Sequence, residues 1–282
     1  MISRRPQAYK VSNYSMTIDK GFQRFTHQNL LIGGLLLSAF LLWSTFALGL
    51  RNDHFVLAAV CLSSFYGNQS TRKLFWALLP FIIYWFLYDS MRVYPNYLFN
   101  PVHIAEPYHL EKYLFGLNQG GEVITLNEYF IQHPNNVLDV MSALFYLCWV
   151  PVPMMYAVYL FWRDRPLLAR FSSTFLLVNI IGIIIYYLYP AAPPWYVAKY
   201  GFELRPETMG DAAGLLRFDE IMGIQLFENM YTRNANVFAA IPSLHSAFPV
   251  VLLFYTVKKG LKYASLLFLV ILVGIWFAAI YT

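Results

Sequence analysis

The sequence predicts an all-α fold, a polytopic bundle of about seven transmembrane helices, and three observations support this prediction. Hydrophobic residues make up 59% of the 282 residues and charged residues only 12%, which is too apolar for an ordinary soluble domain. The apolar residues are gathered in long runs, and the Lys and Arg residues fall in short clusters between them. We attribute the formal net charge of +5 to these membrane-flanking clusters, and no nucleic-acid partner is expected.

The N-terminal third contains three apolar runs that we expect to cross the membrane. A polar segment, residues 1–29, leads into a first run at 30–50, which at about 1.5 Å per residue is long enough to span the hydrocarbon core. Two shorter runs follow at 54–66 and 74–88, and the polar residues between them predict a tight turn. Residues 89–139 mix prolines with aromatic residues and predict an interfacial segment with short helices.

Four further spans are predicted in the rest of the chain. They are residues 140–162, 171–189, 242–257 and 264–281. Pro151 and Pro153 should kink the first of these, because proline lacks the N–H that continues a helix. The sequence stops inside apolar residues with no polar tail, so we expect at least one more span beyond residue 282.

The distribution of basic residues predicts the orientation of the spans. If the N-terminus is cytoplasmic, the segments that face inward hold thirteen of the twenty Lys and Arg residues, as positively charged cytoplasmic loops should. The long loops at 89–139 and 190–241 then face the periplasm or lumen. The protein is therefore predicted to be an integral, multi-pass membrane protein with those loops on the non-cytosolic side.

Residues 242–245 bring together a hydroxyl, an imidazole and a predicted helix start. Pro242 suits the first helical position, and a first helical turn offers unpaired N–H groups and a positive dipole end that favour phosphate. Ser243 would add a hydroxyl donor, and His245 can exchange a proton near neutral pH. The combination predicts phosphoryl-transfer chemistry. The alternative is that these residues only begin a transmembrane helix near the interface.

A second motif strengthens the phosphoryl-transfer interpretation. The letters APPWY at 192–196 follow the fifth predicted span, and FAAIPSLH at 238–245 leads into the sixth. Together they resemble the type-2 phosphatidic acid phosphatase superfamily, in its inositol phosphorylceramide synthase-like, or inositolphosphotransferase, branch. Weaker similarity at YDSMR and LEKYLFG extends the resemblance over residues 80–282. We expect 80–282 to form the catalytic domain, incomplete at its C-terminus, and 1–79 to form a cytoplasmic segment with accessory helices.

The resemblance implies a helical membrane enzyme that moves a phosphorylated head group, such as phosphoinositol, without a metal or other cofactor. His245 would protonate the leaving oxygen, and a second histidine, in a later H-x-x-x-D motif, would attack phosphorus and form a phosphohistidine. No histidine follows His245 in the sequence, and no acidic residue follows Glu228. We therefore expect the nucleophile beyond residue 282, and the chain as given to be inactive.

The implied partners are a membrane phospholipid as donor and either a lipid, for example a ceramide, or water as acceptor. With water the same site would be a lipid phosphate phosphatase, and the sequence does not separate these outcomes. A non-catalytic lipid-binding or transport protein is the alternative from another class. The predicted spans hold few ionisable residues or broken helices, which transporters use at mid-membrane, and this argues against transport.

Several basic residues of the second long loop are candidate phosphate ligands. The family's K-x6-R-P motif has an imperfect counterpart in Lys199 and Arg205, which are separated by one residue too few. Arg233, followed by Asn234, lies later in the same loop, and an arginine can bind two phosphate oxygens at once. A solvated loop arginine is the alternative interpretation.

Two further groups are candidates for contact with substrate. Asp89 and Arg92 lie one turn apart at the outer end of the third span, where they would serve either a site or a local ion pair. The candidate substrate loop consists of Pro193, Pro194, Trp195 and Tyr196. Its aromatic rings would hold a lipid or sugar ring, or anchor the membrane interface. The His and Glu residues at 103–111 are not spaced to share one ordered face, so no metal site is predicted.

Overall fold

The computed structural model describes residues 22–233 and 236–282, and most of this part of the chain is helical. The helices before residue 164 are α1 (His27–Trp43), α2 (Asn52–Gly67), α3 (Gln69–Ser90), α4 (Ala105–Phe115), α5 (Leu126–Gln132), α6 (Asn136–Leu147) and α7 (Pro151–Arg163). Those after it are α8 (Arg165–Leu188), α9 (Pro194–Tyr200), α10 (Leu216–Met222), α11 (Leu226–Tyr231), α12 (Leu244–Lys259) and α13 (Lys262–Tyr281).

The mostly helical fold agrees with the prediction, but a small hairpin was not predicted. Strands β1 (Leu117–Gln119) and β2 (Glu122–Ile124) pair antiparallel between α4 and α5. Gly120 and Gly121 form the turn between them with positive φ angles of 63° and 95°, which glycine adopts without steric cost. The strands are too short to show an alternating pattern in the sequence, so only this glycine pair could have indicated them.

Three helices of the described chain are long and apolar enough to cross a membrane: His27–Leu48, which is α1 with a π-helical extension, α8 and α13. The α6–α7 pair, bent by 40°, makes a fourth if it counts as one span. The bend lies where α7 begins at Pro151, so the predicted kink is confirmed. These helices mark an integral membrane protein. The predicted count of seven also needs α2 and α12, which have only 16 residues each, and α3, which has 22 residues but is not among these spans.

Capping residues set helix starts that the hydropathy pattern placed later. The Asn68 side chain accepts a hydrogen bond from the Thr71 N–H at 2.9 Å, so α3 begins at Gln69 and only Asn68 separates it from α2. The Asp164 side chain accepts from the Leu167 N–H at 3.1 Å in the same way, and α8 begins at Arg165. A short polar side chain at the N-cap satisfies an N–H that a helix leaves open, which is worth about 1 kcal/mol.

An aromatic core joins α3, α7, α8 and α12. The Phe175 ring lies 4.4 Å from that of Phe81 and 4.7 Å from that of Phe248, measured between ring centroids. Phe171 and Tyr255 extend this core towards the other end of the bundle. The core holds the first turn of α12 against α8, and this packing positions the residues described below.

The start of α12 approaches α8 closely because residue 182 is a glycine. A Cβ atom at Gly182 would lie 2.7 Å from Leu244 Cδ2, closer than side chains pack. At the other end, α12 stops at Gly260, and Lys259 Nζ lies 2.5 Å from Asp164 Oδ2. The α12–α13 turn and the α7–α8 turn therefore share one end of the bundle, and the start of α12 lies at the other end.

Candidate active site

The loops that carry the two sequence motifs run side by side. The Ala191 N–H donates to the Phe238 carbonyl at 3.0 Å, and the Ala240 N–H donates to the Ala191 carbonyl at 3.4 Å. On the other side of this segment, the Ala192 N–H donates to the His103 carbonyl at 3.0 Å. Three segments distant in sequence are thus joined by short parallel bridges. The segment leading into α9 is held directly against the segment leading into α12.

A cavity of about 340 Å³ lies between these loops and the neighbouring helix ends. Six of the predicted site residues line it: Pro193, Pro194, Trp195, Arg233, Ser243 and His245. Ala279 and Thr282, at the end of α13, line the same cavity. The two motifs therefore face one shared cavity, as an enzyme with both motifs in its site requires.

The helix start differs from the prediction by two residues. Pro242 was expected at the first helical position, but α12 begins at Leu244 and Pro242 precedes the cap. Ser243 is the N-cap residue, and its Oγ accepts from the Ser246 N–H at 3.4 Å. Serine is among the preferred N-cap residues because it satisfies an open N–H in this way. The Ser243 hydroxyl keeps its proton for a ligand in the cavity.

His245 lies in the first turn of α12, and aromatic rings hold its imidazole. The ring centroid is 4.6 Å from that of Tyr146 and 4.5 Å from that of Trp149. Within the described residues, no hydrogen bond engages the imidazole nitrogens. They are therefore available to a substrate oxygen, and the ring orientation is set by packing on α6 and the residues that follow it.

Tyrosines form much of the remaining cavity wall. The set consists of Tyr84, Tyr88, Tyr146, Tyr186 and Tyr231. The Tyr186 hydroxyl donates to the Pro242 carbonyl at 2.9 Å, and the Tyr231 hydroxyl donates to that of Tyr146 at 2.6 Å. These contacts join α8 and α11 to the residues around His245. The sequence alone does not reveal these tyrosines, because aromatics at helical spacing near span ends equally fit core or lipid-facing positions.

The basic residues of the loop fall into two groups. Arg233 is exposed, lines the cavity and forms no ion pair with a described residue. Lys199 Nζ lies 2.9 Å from Asp211 Oδ2, and this hydrogen bond raises the pKa of Lys199. Arg205 pairs with Glu203 at 2.8 Å, and neither Lys199 nor Arg205 lines the cavity. Arg233 is thus the candidate cation that the structure brings to His245.

The remaining candidates lie away from the cavity. Tyr196 is fully buried, and its hydroxyl donates to the Glu203 carbonyl at 2.7 Å, which makes it a packing residue of the loop. Asp89 accepts from Arg92 at 2.8 Å and from Arg51 at 2.9 Å, in a cluster between α2 and α3. Asn234 lies outside the described residues.

The described residues contain one cavity histidine. The other five histidines do not line the cavity; they are His27, His54, His103, His109 and His133. Nor does this part of the chain contain a group of three or more His, Cys, Asp or Glu residues that could hold a metal ion. The arrangement can therefore supply one imidazole, a serine hydroxyl and an arginine to a ligand between the two loops.

Comparison with known proteins gives the same family as the motifs. The family model of the PAP2 superfamily matches residues 122–282. The chain is 48% identical over 250 residues to phosphoinositol dihydroceramide synthase of Bacteroides thetaiotaomicron, covering 88% of this chain and 82% of that protein. It is 28% identical over 188 residues to AUR1, the catalytic subunit of inositol phosphorylceramide synthase of Saccharomyces cerevisiae, covering 66% and 45%.

A second fungal relative matches the chain with the same sequence identity. The inositol phosphorylceramide synthase catalytic subunit of Schizosaccharomyces pombe is 28% identical over 187 residues, which cover 62% of this chain and 41% of that protein. The chain thus spans most of the bacterial relative and less than half of the fungal proteins. No solved structure shows a significant match to the chain.

Proposed function

The chain belongs to the PAP2 superfamily, and from this membership we propose that it transfers phosphoinositol from a membrane glycerophospholipid to a dihydroceramide-like lipid. The names of its relatives suggest the head group and the acceptor. One observation carries the proposal: His245 lines the same cavity as the Pro193–Pro194–Trp195 segment and Arg233. That cavity provides a proton donor and a cation for one phosphate group.

The proposed reaction has two steps. In the first, a histidine nucleophile attacks phosphorus, a P–N bond forms, and the P–O bond to diacylglycerol breaks as His245 gives its proton to the departing oxygen. In the second, the acceptor hydroxyl attacks phosphorus and the P–N bond breaks. His245 takes the hydroxyl proton and is restored to its protonated form. The products are diacylglycerol and the phosphoinositol ester of the acceptor.

The residues of this chain would act mainly by positioning and charge. The Arg233 guanidinium can bind two phosphate oxygens, and the Ser243 hydroxyl can donate to a third at the start of α12. Tyr146 and Trp149 fix the ring that exchanges the proton. The resemblance assigns the nucleophile to a second histidine, and its expected place beyond residue 282 stays a prediction.

We further propose that the cavity opens on the non-cytosolic side of a seven-span protein with a cytoplasmic N-terminus. The clusters at Arg163–Arg165 and Lys258–Lys259 share the end of the bundle opposite to His245, as the Lys259–Asp164 ion pair requires. We keep residues 80–282 as the catalytic domain. Its boundary falls inside α3, which packs on both α2 and α8.

Transfer of inositol-labelled phosphoinositol by the full-length protein in lipid vesicles tests this function. Inositol-labelled phosphatidylinositol is the donor and a fluorescent ceramide the acceptor. His245→Ala should reduce transfer by about 10³-fold, because a general acid contributes roughly 10² to 10⁴ to the rate. His133→Ala is the matched control, since this exposed histidine does not line the cavity, and its transfer should equal that of the wild type.

Each other outcome argues against a specific part of the proposal. Unchanged transfer by His245→Ala would show that His245 is not the general acid of the reaction. Release of water-soluble inositol phosphate by the wild type, without labelled ceramide, would identify a hydrolase that uses water as the acceptor instead.

A further inference from the structure

A second cavity, of about 330 Å³, lies beside the first and is lined from α4, α5 and α9. Pro194 and Ala240 line both cavities, so only these residues and their neighbours separate the second cavity from His245. Neither the motifs nor the proposed reaction assigns it a role.

The second cavity is mostly apolar and is continuous with an exposed apolar helix face. Its apolar lining includes Ile104, Leu110, Leu114, Phe115, Val197 and Ala198. Leu110, Leu114 and Phe115 of α4 are each more than half exposed, at 58%, 55% and 60%. In a protein embedded in lipid, such a face is covered by lipid chains rather than by water. A cavity that borders such a face is accessible to a lipid chain.

Two carboxylates give the cavity a polar side. Glu128 is already engaged, since its oxygens accept from the Thr125 N–H at 2.7 Å and from the Tyr108 hydroxyl at 2.9 Å. Glu111 forms no hydrogen bond or ion pair with a described residue, and burial, with Glu128 nearby, raises the pKa of its carboxyl group. Glu111 is thus an open hydrogen-bonding group on an otherwise apolar wall.

The chemistry at His245 limits what such a cavity can hold. The same imidazole protonates the leaving oxygen and deprotonates the attacking oxygen, so the two oxygens occupy one place in turn. Each carries an apolar lipid body, and both bodies must extend from that place. An apolar cavity that shares a wall with the His245 cavity is where such a body fits.

We propose that this second cavity binds the apolar body of the lipid whose oxygen faces His245, donor and acceptor in turn, with Glu111 contacting the acceptor. This inference rests on the proposed function. Glu111 would accept a hydrogen bond from the amide N–H or hydroxyl of the acceptor. The ester-linked part of a diacylglycerol has no donor to offer there, so Glu111 favours the acceptor.

Chain-length selectivity of the full-length protein in vesicles tests the inference. The measured quantity is the ratio of kcat/KM for dipalmitoyl and dibutanoyl phosphatidylinositol, with fluorescent ceramide as acceptor. Ala198→Phe fills the cavity from an exposed position of α9 and should lower this ratio by about tenfold, as expected if two methylene groups no longer fit. Ala59→Phe, at an exposed position of α2 outside both cavities, is the matched control and should leave it unchanged.

A second variant tests the contact with the acceptor. Glu111→Leu should raise the KM for ceramide severalfold and leave the KM for phosphatidylinositol unchanged. An unchanged chain-length ratio in Ala198→Phe would overturn the lipid-body site, even if kcat/KM falls equally for both donors. Equal rises in both KM values in Glu111→Leu would overturn the acceptor contact. If the wild type transfers no phosphoinositol at all, the proposed function fails instead.

Discussion

At the scale of single residues, His245 depends on neighbours that belong to neither sequence motif. Tyr146 and Trp149 contact its ring, and Tyr186 holds the segment before it through the Pro242 carbonyl. No described residue forms a hydrogen bond with the imidazole of His245, the proposed proton donor, so packing must orient the ring. Small changes in this wall should therefore alter the rate before they alter the fold.

Replacing Tyr186 by phenylalanine tests this dependence. The change leaves the ring and removes the 2.9 Å hydrogen bond to Pro242, which is worth about 1 kcal/mol. If the loop then samples other positions, kcat should fall about fivefold with little change in KM. Tyr187→Phe is the control, since its hydroxyl donates to the Tyr94 carbonyl at 2.6 Å and Tyr187 does not line the cavity. Equal effects of both variants would contradict the positioning role.

At the scale of elements, one buried carboxylate joins three helices next to the cavity. Asp139 of α6 is 2% exposed and lies 2.6 Å from Arg217 Nε of α10. It also accepts a hydrogen bond from the Tyr281 hydroxyl of α13 at 2.9 Å. The end of α13 lines the cavity through Ala279 and Thr282, on either side of Tyr281 in the chain. The hydrogen bond from Tyr281 to Asp139 therefore holds this part of the cavity wall in place.

Asp139→Ala should destabilise the protein by about 3 kcal/mol, because it leaves the Arg217 charge without its buried partner. Thermal unfolding in detergent, followed by tryptophan fluorescence, measures the effect. The matched control is Glu203→Ala, which breaks the Arg205–Glu203 pair on the surface, where side chains are 51% and 69% exposed. Such exposed pairs contribute about 0 to 1 kcal/mol. Similar losses in the two variants would show that burial does not decide the contribution.

At the scale of the whole molecule, the bundle has two chemically different ends. One end carries the turns with Asp164, Lys258 and Lys259. The other carries the long loops and the His245 cavity. The proposed orientation places the first end in the cytoplasm, where basic loops are retained.

Labelling of single cysteines tests this orientation in intact cells. In a background without Cys61 and Cys148, Glu207→Cys should react with a membrane-impermeant maleimide from outside, because Glu207 is an exposed residue of a loop that we propose to face outward. Lys258→Cys, exposed near the end of α12, should react only after permeabilisation. The reverse pattern would place the cavity on the cytosolic side.

The sequence by itself determined that this is a helical membrane protein and identified its family motifs. Composition and run length suffice for the first, because a segment in lipid must satisfy its backbone hydrogen bonds internally, which a long apolar helix does. The motifs at 192–196 and 238–245 are local in the chain, so they are visible without a structure. The bend at Pro151 follows equally from one residue type.

Only the tertiary structure decided which side chains share a cavity with His245. The bridge from Ala191 to Ala239 and the aromatic contacts of His245 join residues distant in sequence. The packing of the chain also decides which candidates do not line the cavity, namely Lys199, Arg205, Asp89 and Arg92. Hydropathy and motif spacing report the local environment, whereas these contacts depend on how helices pack. The start of α12 differs from the prediction for a local reason, because the Ser243 side chain caps the helix and Pro242 therefore precedes the cap.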